Sequence, residues 1–223
     1  MANIIERLAT SLGQKDQVPN IELAKQVIVE KNTLAVKVLI DNLYHKDKGI
    51  QSDCIKVLYE VGEKSPELIS EYLHEFLNLL LHKNNRLQWG GMAAIHSITL
   101  DRAKEVHEAL PQILKAAKTG SVITKDHAYG ILVKLCSIGE YRKEVIPMLL
   151  EQLEEAPDNQ FPKYAEDSWE IISDDEKDNF INILQKRVTK LPQESKQKRI
   201  KNLLKKLSPL AVTTNTAVEK SAS

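Results

Sequence analysis

One spacing governs the chain. Leu58, Ile95, Leu132 and Trp169 lie 37 residues apart, and three positions on, Val61, Ile98, Leu135 and Ile172 do the same. A column of small residues, Cys54, Gly91, Ala128 and Ala165, keeps the same step, and one step back from Leu58 and Val61 falls on Ile21 and Ala24. Self-similarity at a fixed period of this size marks stacked units, none of which can bury its apolar face alone. The second half of each unit recurs too, with Ile40, Leu77 and Leu114 in one column and Leu43, Leu80 and Ala117 in another, Leu153 following after 36. Each unit is therefore predicted to be a pair of helices.

Apolar residues at steps of three and four support the helical reading, as in Cys54, Val57, Leu58, Val61 and in Phe76, Leu77, Leu80. No segment alternates as a half-buried strand would. Breaks fall at Gly49, at Gly62 to Pro66, at Asn84-Asn85, at Gly120, at Gly139 and at Ala156 to Asn159. Ser65 before Pro66 reads as an N-cap with proline at the first helical position. Pro111 and Pro147 are 36 apart and read as marking the start of the main part of a second helix, since a proline deeper inside costs about 3 kcal/mol. The units run 13–49, 50–86, 87–123, 124–160 and 161–192. Residues 2–12, with Ile4, Ile5, Leu8 and Leu12 on one face, are predicted to cap the N-terminal end, and a basic helix over 195–207 the other. Residues 1–207 thus read as a single all-α repeat domain, and the Thr-, Ala- and Ser-rich stretch 208–223 as a disordered tail.

Paired helices of about 37 residues, with proline near the start of the second, resemble HEAT repeats over residues 13–192. The aspartate and arginine ladder of the strictest HEAT units is only patchily present. The resemblance implies a right-handed α-solenoid of about five repeats whose first helices line the convex side and whose second helices line a concave, protein-binding side.

Charge sets further bounds. The 223 residues carry 31 basic and 31 acidic side chains and are 42% hydrophobic, which fits a globular domain rather than wholesale disorder. No run approaches the roughly 18 apolar residues of a membrane span. Glu6 interrupts the place where a signal peptide would carry its apolar run, so the expected address is cytoplasmic. Cys54 and Cys136 are too few and too far apart for a disulfide framework or a zinc site, and read as buried, reduced thiols. Neutrality hides a dipole: residues 151–178 hold eleven acids against two lysines, and residues 186–206 hold nine bases against Glu194, a net of about +8. An apolar stripe of Ile200, Leu203, Leu204 and Leu207 marks that basic segment as a capping helix. Its Lys198, Arg199, Lys201, Lys205 and Lys206 are the residues an anionic partner such as nucleic acid would meet.

Chemistry-bearing motifs are sparse. His74-Glu75 and His107-Glu108 resemble the paired ligands of deoxyhypusine hydroxylase, also built of HEAT repeats, but they fall at different repeat positions and cannot close a symmetric dimetal cage. No metal, no cofactor and no catalytic residue is therefore assigned. Trp89 shares its column with Ser52, Asp126 and Lys163, all polar, which places an indole where its equivalents meet water. The alternative is that it folds over the groove left by Gly90-Gly91. Trp169, in the Leu58 column, reads as core. The stretch Trp89 to Ile95 is also similar to one helix of the bacterial alkylpurine DNA glycosylases, with Gly91 and Met92 where those enzymes carry arginines. The sequence thus points to a non-enzymatic protein-binding scaffold, with Asn78, Lys115 and Gln152 on second helices and Asn85, Arg86 and Trp89 at a unit junction as its contacts. The alternative is a nucleic-acid-binding protein, in its extreme form a glycosylase-like enzyme.

Overall fold

The computed structural model describes residues 3–207. Among them lie twelve α-helices, four 3-10 turns and no strand. The helices are α1 (Val18–Glu30), α2 (Thr33–Asp41), α3 (Lys48–Lys64), α4 (Leu73–Leu79), α5 (Asn85–Ile98) and α6 (Ala103–Glu108). They continue as α7 (Leu110–Thr119), α8 (Val122–Cys136), α9 (Gly139–Glu154), α10 (Phe161–Ser168), α11 (Asp174–Val188) and α12 (Glu194–Leu207). The described residues form two compact units, divided between Leu149 and Leu150. No helix among the described residues is long and apolar enough to cross a membrane.

In the first unit the repeat is written into the helix starts. α3, α5 and α8 begin at 48, 85 and 122, and the residue before each, Asp47, Asn84 and Ser121, accepts a hydrogen bond from a first-turn amide. α3 packs between α1 and α5, and α5 between α3 and α8, while α2, α4 and α7 pack on α3, α5 and α8. A second helix thus lies against the first helix of the next unit, and each pair needs its neighbour to cover its apolar face. The first-helix columns form the contact surface, with Leu58, Ile95, Leu132, Val61, Ile98 and Leu135 all fully buried, whereas Ile21 and, on the second helices, Leu77 and Leu114 are half-buried.

Small residues set how closely the helices approach. A methyl group at Gly90 would meet the Ile55 side chain at 2.6 Å, and one at Gly62 would meet Ser97 Oγ at 2.3 Å. Ile55 precedes Gly62 as Gly90 precedes Ser97, so α3 and α5 run parallel. Gly91 faces α4, where an added methyl would lie 2.9 Å from Leu79 Cβ and 3.0 Å from the Phe76 carbonyl oxygen.

A buried polar network fastens the N-terminal segment. Asn20 in α1 and Asp53 in α3 are 0% and 3% exposed. Asn20 Nδ2 donates to Asp53 Oδ1 at 2.8 Å, the Thr10 amide to Asp53 Oδ2 at 2.7 Å, and the Ala9 amide to Asn20 Oδ1 at 3.0 Å. These bonds correct the expected capping helix over 2–12. Side chains of two other helices take the amides of Ala9 and Thr10, and only a 3-10 turn, Ile4–Arg7, remains. Leu8 is buried, whereas Leu12 is exposed.

Two further expectations change. Pro147 lies inside an unbroken α9 rather than at a helix start, on an exposed position where water can meet the carbonyl it leaves unpaired. Pro111 does open a helix, α7, and Pro66 opens a 3-10 turn before which Ser65 makes no side-chain cap.

In the second unit Trp169 departs from the core column. α10 ends at Ser168, and the 3-10 turn Trp169–Ile171 rotates the chain so that Ser168 takes the fully buried position. The indole is half-buried, with Lys206 of α12 5.5 Å from its ring. Arg187 of α11 clamps the turn before α10: its guanidinium donates to the carbonyls of Glu154 and Ala156, reaches Asp158 at 3.0 Å and lies 4.5 Å over the Phe161 ring.

Both cysteines are buried, and desolvation first, then the Asp53 carboxylate, pushes the Cys54 thiol up to about 12. Ellman's reagent at pH 8 is therefore expected to leave Cys54 unmodified in the native protein and to label it on unfolding in urea. Rapid native labelling of Cys54, read by mass spectrometry, would show that α3 opens locally.

Candidate protein-interaction surface

The junction residues Asn85, Arg86 and Trp89 all lie on α5. Asn84 Oδ1 caps the helix through the Arg86 amide at 3.0 Å, leaving Asn85 and Arg86 exposed in the first turn. Trp89, one turn on, is half-buried and packs against Tyr59 of α3, ring centroids 5.4 Å apart and tilted by 50°. Ile55 lies against Gly90, and Leu79 with the Phe76 carbonyl against Gly91. Burial raises the Tyr59 hydroxyl above its ordinary range, and Lys56, 4.8 Å from the ring centroid and ion-paired with Glu60, partly offsets it.

Asn78 and Lys115 are exposed on α4 and α7, which are tied together where Gln112 Nε2 donates to the Leu77 carbonyl at 2.8 Å. Gln152, in the second unit, is half-buried on α9. Three residues beyond Asn78 and Lys115, Leu81 lies in the turn before α5 and Lys118 in the last turn of α7, ahead of α8.

Those turns carry residues that the reading of the core columns missed. Tyr44 and Leu81 are one unit step apart and exposed, 59% and 72%. His45 and His82 follow at the same step, and each ring accepts at Nδ1 from the backbone amide two residues on, Asp47 at 3.0 Å and Asn84 at 2.9 Å. Gln51 and Gln88, again 37 apart, brace the two turns from within, donating to the carbonyls of His45 at 2.7 Å and Leu80 at 3.0 Å. The signal was present in the sequence as Tyr44-His45-Lys46-Asp47 against Leu81-His82-Lys83-Asn84, in exposed rather than buried columns.

The basic helix α12 lies in the second unit, where much of its charge is engaged. Arg199 pairs with Glu166 in a two-pronged contact, Nε to Oε1 at 2.9 Å, Lys196 meets the Asn159 side chain, and Lys206 sits over Trp169. Lys198, Lys201 and Lys205 are exposed. Of its apolar stripe Ile200, Leu203 and Leu207 are buried and Leu204 is half-buried, where α12 packs on α10 and α11.

Elsewhere, His107 stacks on Tyr141 at 4.6 Å and pairs with Glu144 at 3.1 Å, and the rings of His96 and His127 meet at Nδ1 to Nδ1 3.1 Å. Among the described residues no group of three or more His, Cys, Asp or Glu side chains is placed to hold a metal ion.

No protein family and no curated protein matches the chain. Its backbone is similar to the crystal structure of an engineered protein from the Northeast Structural Genomics Consortium, at 21% identity and a TM-score of 0.59 over 92% of this chain and 99% of that one. At that identity the likeness is one of helical fold.

Proposed function

We propose that the chain is a non-enzymatic protein-binding module of the cytoplasm, its helix pairs wound as a right-handed HEAT-type solenoid that holds a partner on its second-helix face. The observation that carries this reading is that the exposed surface keeps the register of the core. Asn78 and Lys115 recur at unit spacing outside it, as do Tyr44, Leu81 and Lys118, and of these Tyr44 and Leu81 are large apolar side chains left in water. Apolar side chains placed periodically in solvent favour association over solubility alone. A face already fixed by packing loses little entropy on binding, so a few anchors supply most of the affinity.

The test is affinity capture on the immobilised chain, with and without nuclease, beside the Asn78→Glu/Lys115→Glu variant. A protein retained after nuclease and lost with the variant is the expected result. Material that vanishes with nuclease, or release of alkylated base from duplex DNA, would replace this reading with a nucleic-acid one. Trp89→Ala is expected to cost about 1–2 kcal/mol in urea unfolding, because the indole gives up its Tyr59 partner and part of its burial. A change below about 0.5 kcal/mol would make Trp89 a purely surface residue.

A further inference from the structure

We infer that the ridge formed by the turns before α3, α5 and α8 is the docking surface for an acidic, partly apolar segment of a partner protein. The inference rests on the protein-binding reading and names the partner's chemistry.

Charge is the first ground. The three turns with the helix ends that flank them, residues 44–49, 81–86 and 118–123, one unit step apart, carry Lys46, Lys48, Lys83, Arg86 and Lys118 against a single acid, Asp47. That acid is exposed and caps α3, its Oδ1 accepting from the Gly49 amide at 2.7 Å. Lys46, Lys48, Lys83, Arg86 and Lys118 are exposed, and among the described residues none of the five is ion-paired. The positive ends of α3 and α5, which run parallel, add to the same potential.

Apolar exposure on the same ridge is the second. Tyr44 and Leu81 stand beside Lys46 and Lys83 one unit step apart, and Val122 and Ile123, 48% and 44% exposed, open α8 at the third turn. Between the first two turns lies a depression of about 720 Å3 lined by Lys48, Leu81, His82, Lys83, Asn84 and Asn85. A nucleic acid would satisfy the cations and leave Leu81, Val122 and Ile123 in water. An acidic segment with interspersed apolar residues uses both. Neighbouring packed helices lie about 8–10 Å apart, which an extended peptide spans in roughly three residues, so the favoured segment repeats its acidic and apolar positions every third residue.

The test uses fluorescence polarisation on the full chain with four probes. These are a labelled 15-residue peptide with glutamate and leucine at every third position, an all-glutamate peptide, a 15-nucleotide thymidine strand and phosphatidylserine vesicles. The mixed peptide is expected to bind most tightly, to weaken at least tenfold in Lys46→Glu/Lys48→Glu/Lys83→Glu/Arg86→Glu, and to weaken several-fold in Tyr44→Ser/Leu81→Ser. All six positions are exposed or at a turn, and thermal unfolding of both variants checks that they fold. No binding of the mixed peptide, equal binding by the charge-reversed chain, or preference for the oligonucleotide or the vesicles would each overturn the inference. A nuclease-resistant partner captured equally by the charge-reversed chain but lost with Asn78→Glu/Lys115→Glu would overturn the ridge while leaving the protein-binding reading in place.

Discussion

Replacing Asp53 by alanine will lower the stability of the first unit by about 2–4 kcal/mol and, for a chain of this size, the melting temperature by roughly 5–15 °C. The carboxylate is 3% exposed and serves two donors, the Thr10 amide and Asn20 Nδ2. Truncation leaves both without their acceptor, and the Asn20 side chain, 0% exposed, has no water to turn to, which is the costly way to lose a hydrogen bond. Asn20 Nδ2 keeps its bond to Gln17 Oε1 at 3.0 Å and Asn20 Oδ1 keeps the Ala9 amide, whereas the Thr10 amide loses its acceptor, so the N-terminal segment should loosen first at Thr10. Asp53→Asn separates charge from acceptor capacity: it retains one oxygen but turns an NH2 group toward the other donor, so it should recover only part of the loss. Because Asn20 and Asp53 share a bond, Asn20→Ala combined with Asp53→Ala should cost less than the two losses added. Urea unfolding of the four variants decides it. A loss within 0.5 kcal/mol for Asp53→Ala would mean that the network does not hold the N-terminal segment.

That network illustrates what the sequence could and could not show. Periodicity located the helix pairs because burial repeats whenever structure repeats: Leu58, Ile95 and Leu132 answer to one environment, and Cys54, Gly91 and Ala128 to one helix approach. Asn20 and Asp53 occur once, 33 residues apart, and no period announces a single polar pair. Their bonds to Ala9 and Thr10 take the place of the helix that the spacing of Ile4, Ile5, Leu8 and Leu12 predicts. Trp169 failed for a related reason: its column assumes that the helix continues, and the 3-10 turn after Ser168 breaks the register. At the interaction surface, the second-helix positions Asn78 and Lys115 followed from the core columns by one step along the helix. The turn residues Tyr44, Lys46, Leu81 and Lys83 obey the same period but are exposed, and a search for buried columns passes over them.

The small-residue column makes the sharpest claim about packing, and two glycines in different surroundings should respond with opposite signs. At Gly91 an added Cβ meets Leu79 Cβ at 2.9 Å and the Phe76 carbonyl oxygen at 3.0 Å. The second contact is with backbone, which no rotamer change relieves. Gly91→Ala should gain about 0.5–1 kcal/mol of helix propensity and lose more than that to the clash, for a net loss. Gly91→Val adds two γ-carbons to a position that cannot accept one and should cost about 3 kcal/mol, since α5 must move off α4 and carries its contacts with α3 and α8 with it. Gly139, the first residue of α9, has nothing within 4 Å of the same added atom, and its φ is not positive. Gly139→Ala should therefore leave stability unchanged or raise it by up to about 1 kcal/mol, by narrowing the unfolded ensemble. Urea unfolding of the three variants reads both signs at once. Equal stability of Gly91→Val and the parent chain would show that the 37-residue column of small residues does not set the distance between α4 and α5, whereas a loss at Gly91 with none at Gly139 places the constraint at the helix contact rather than in glycine itself.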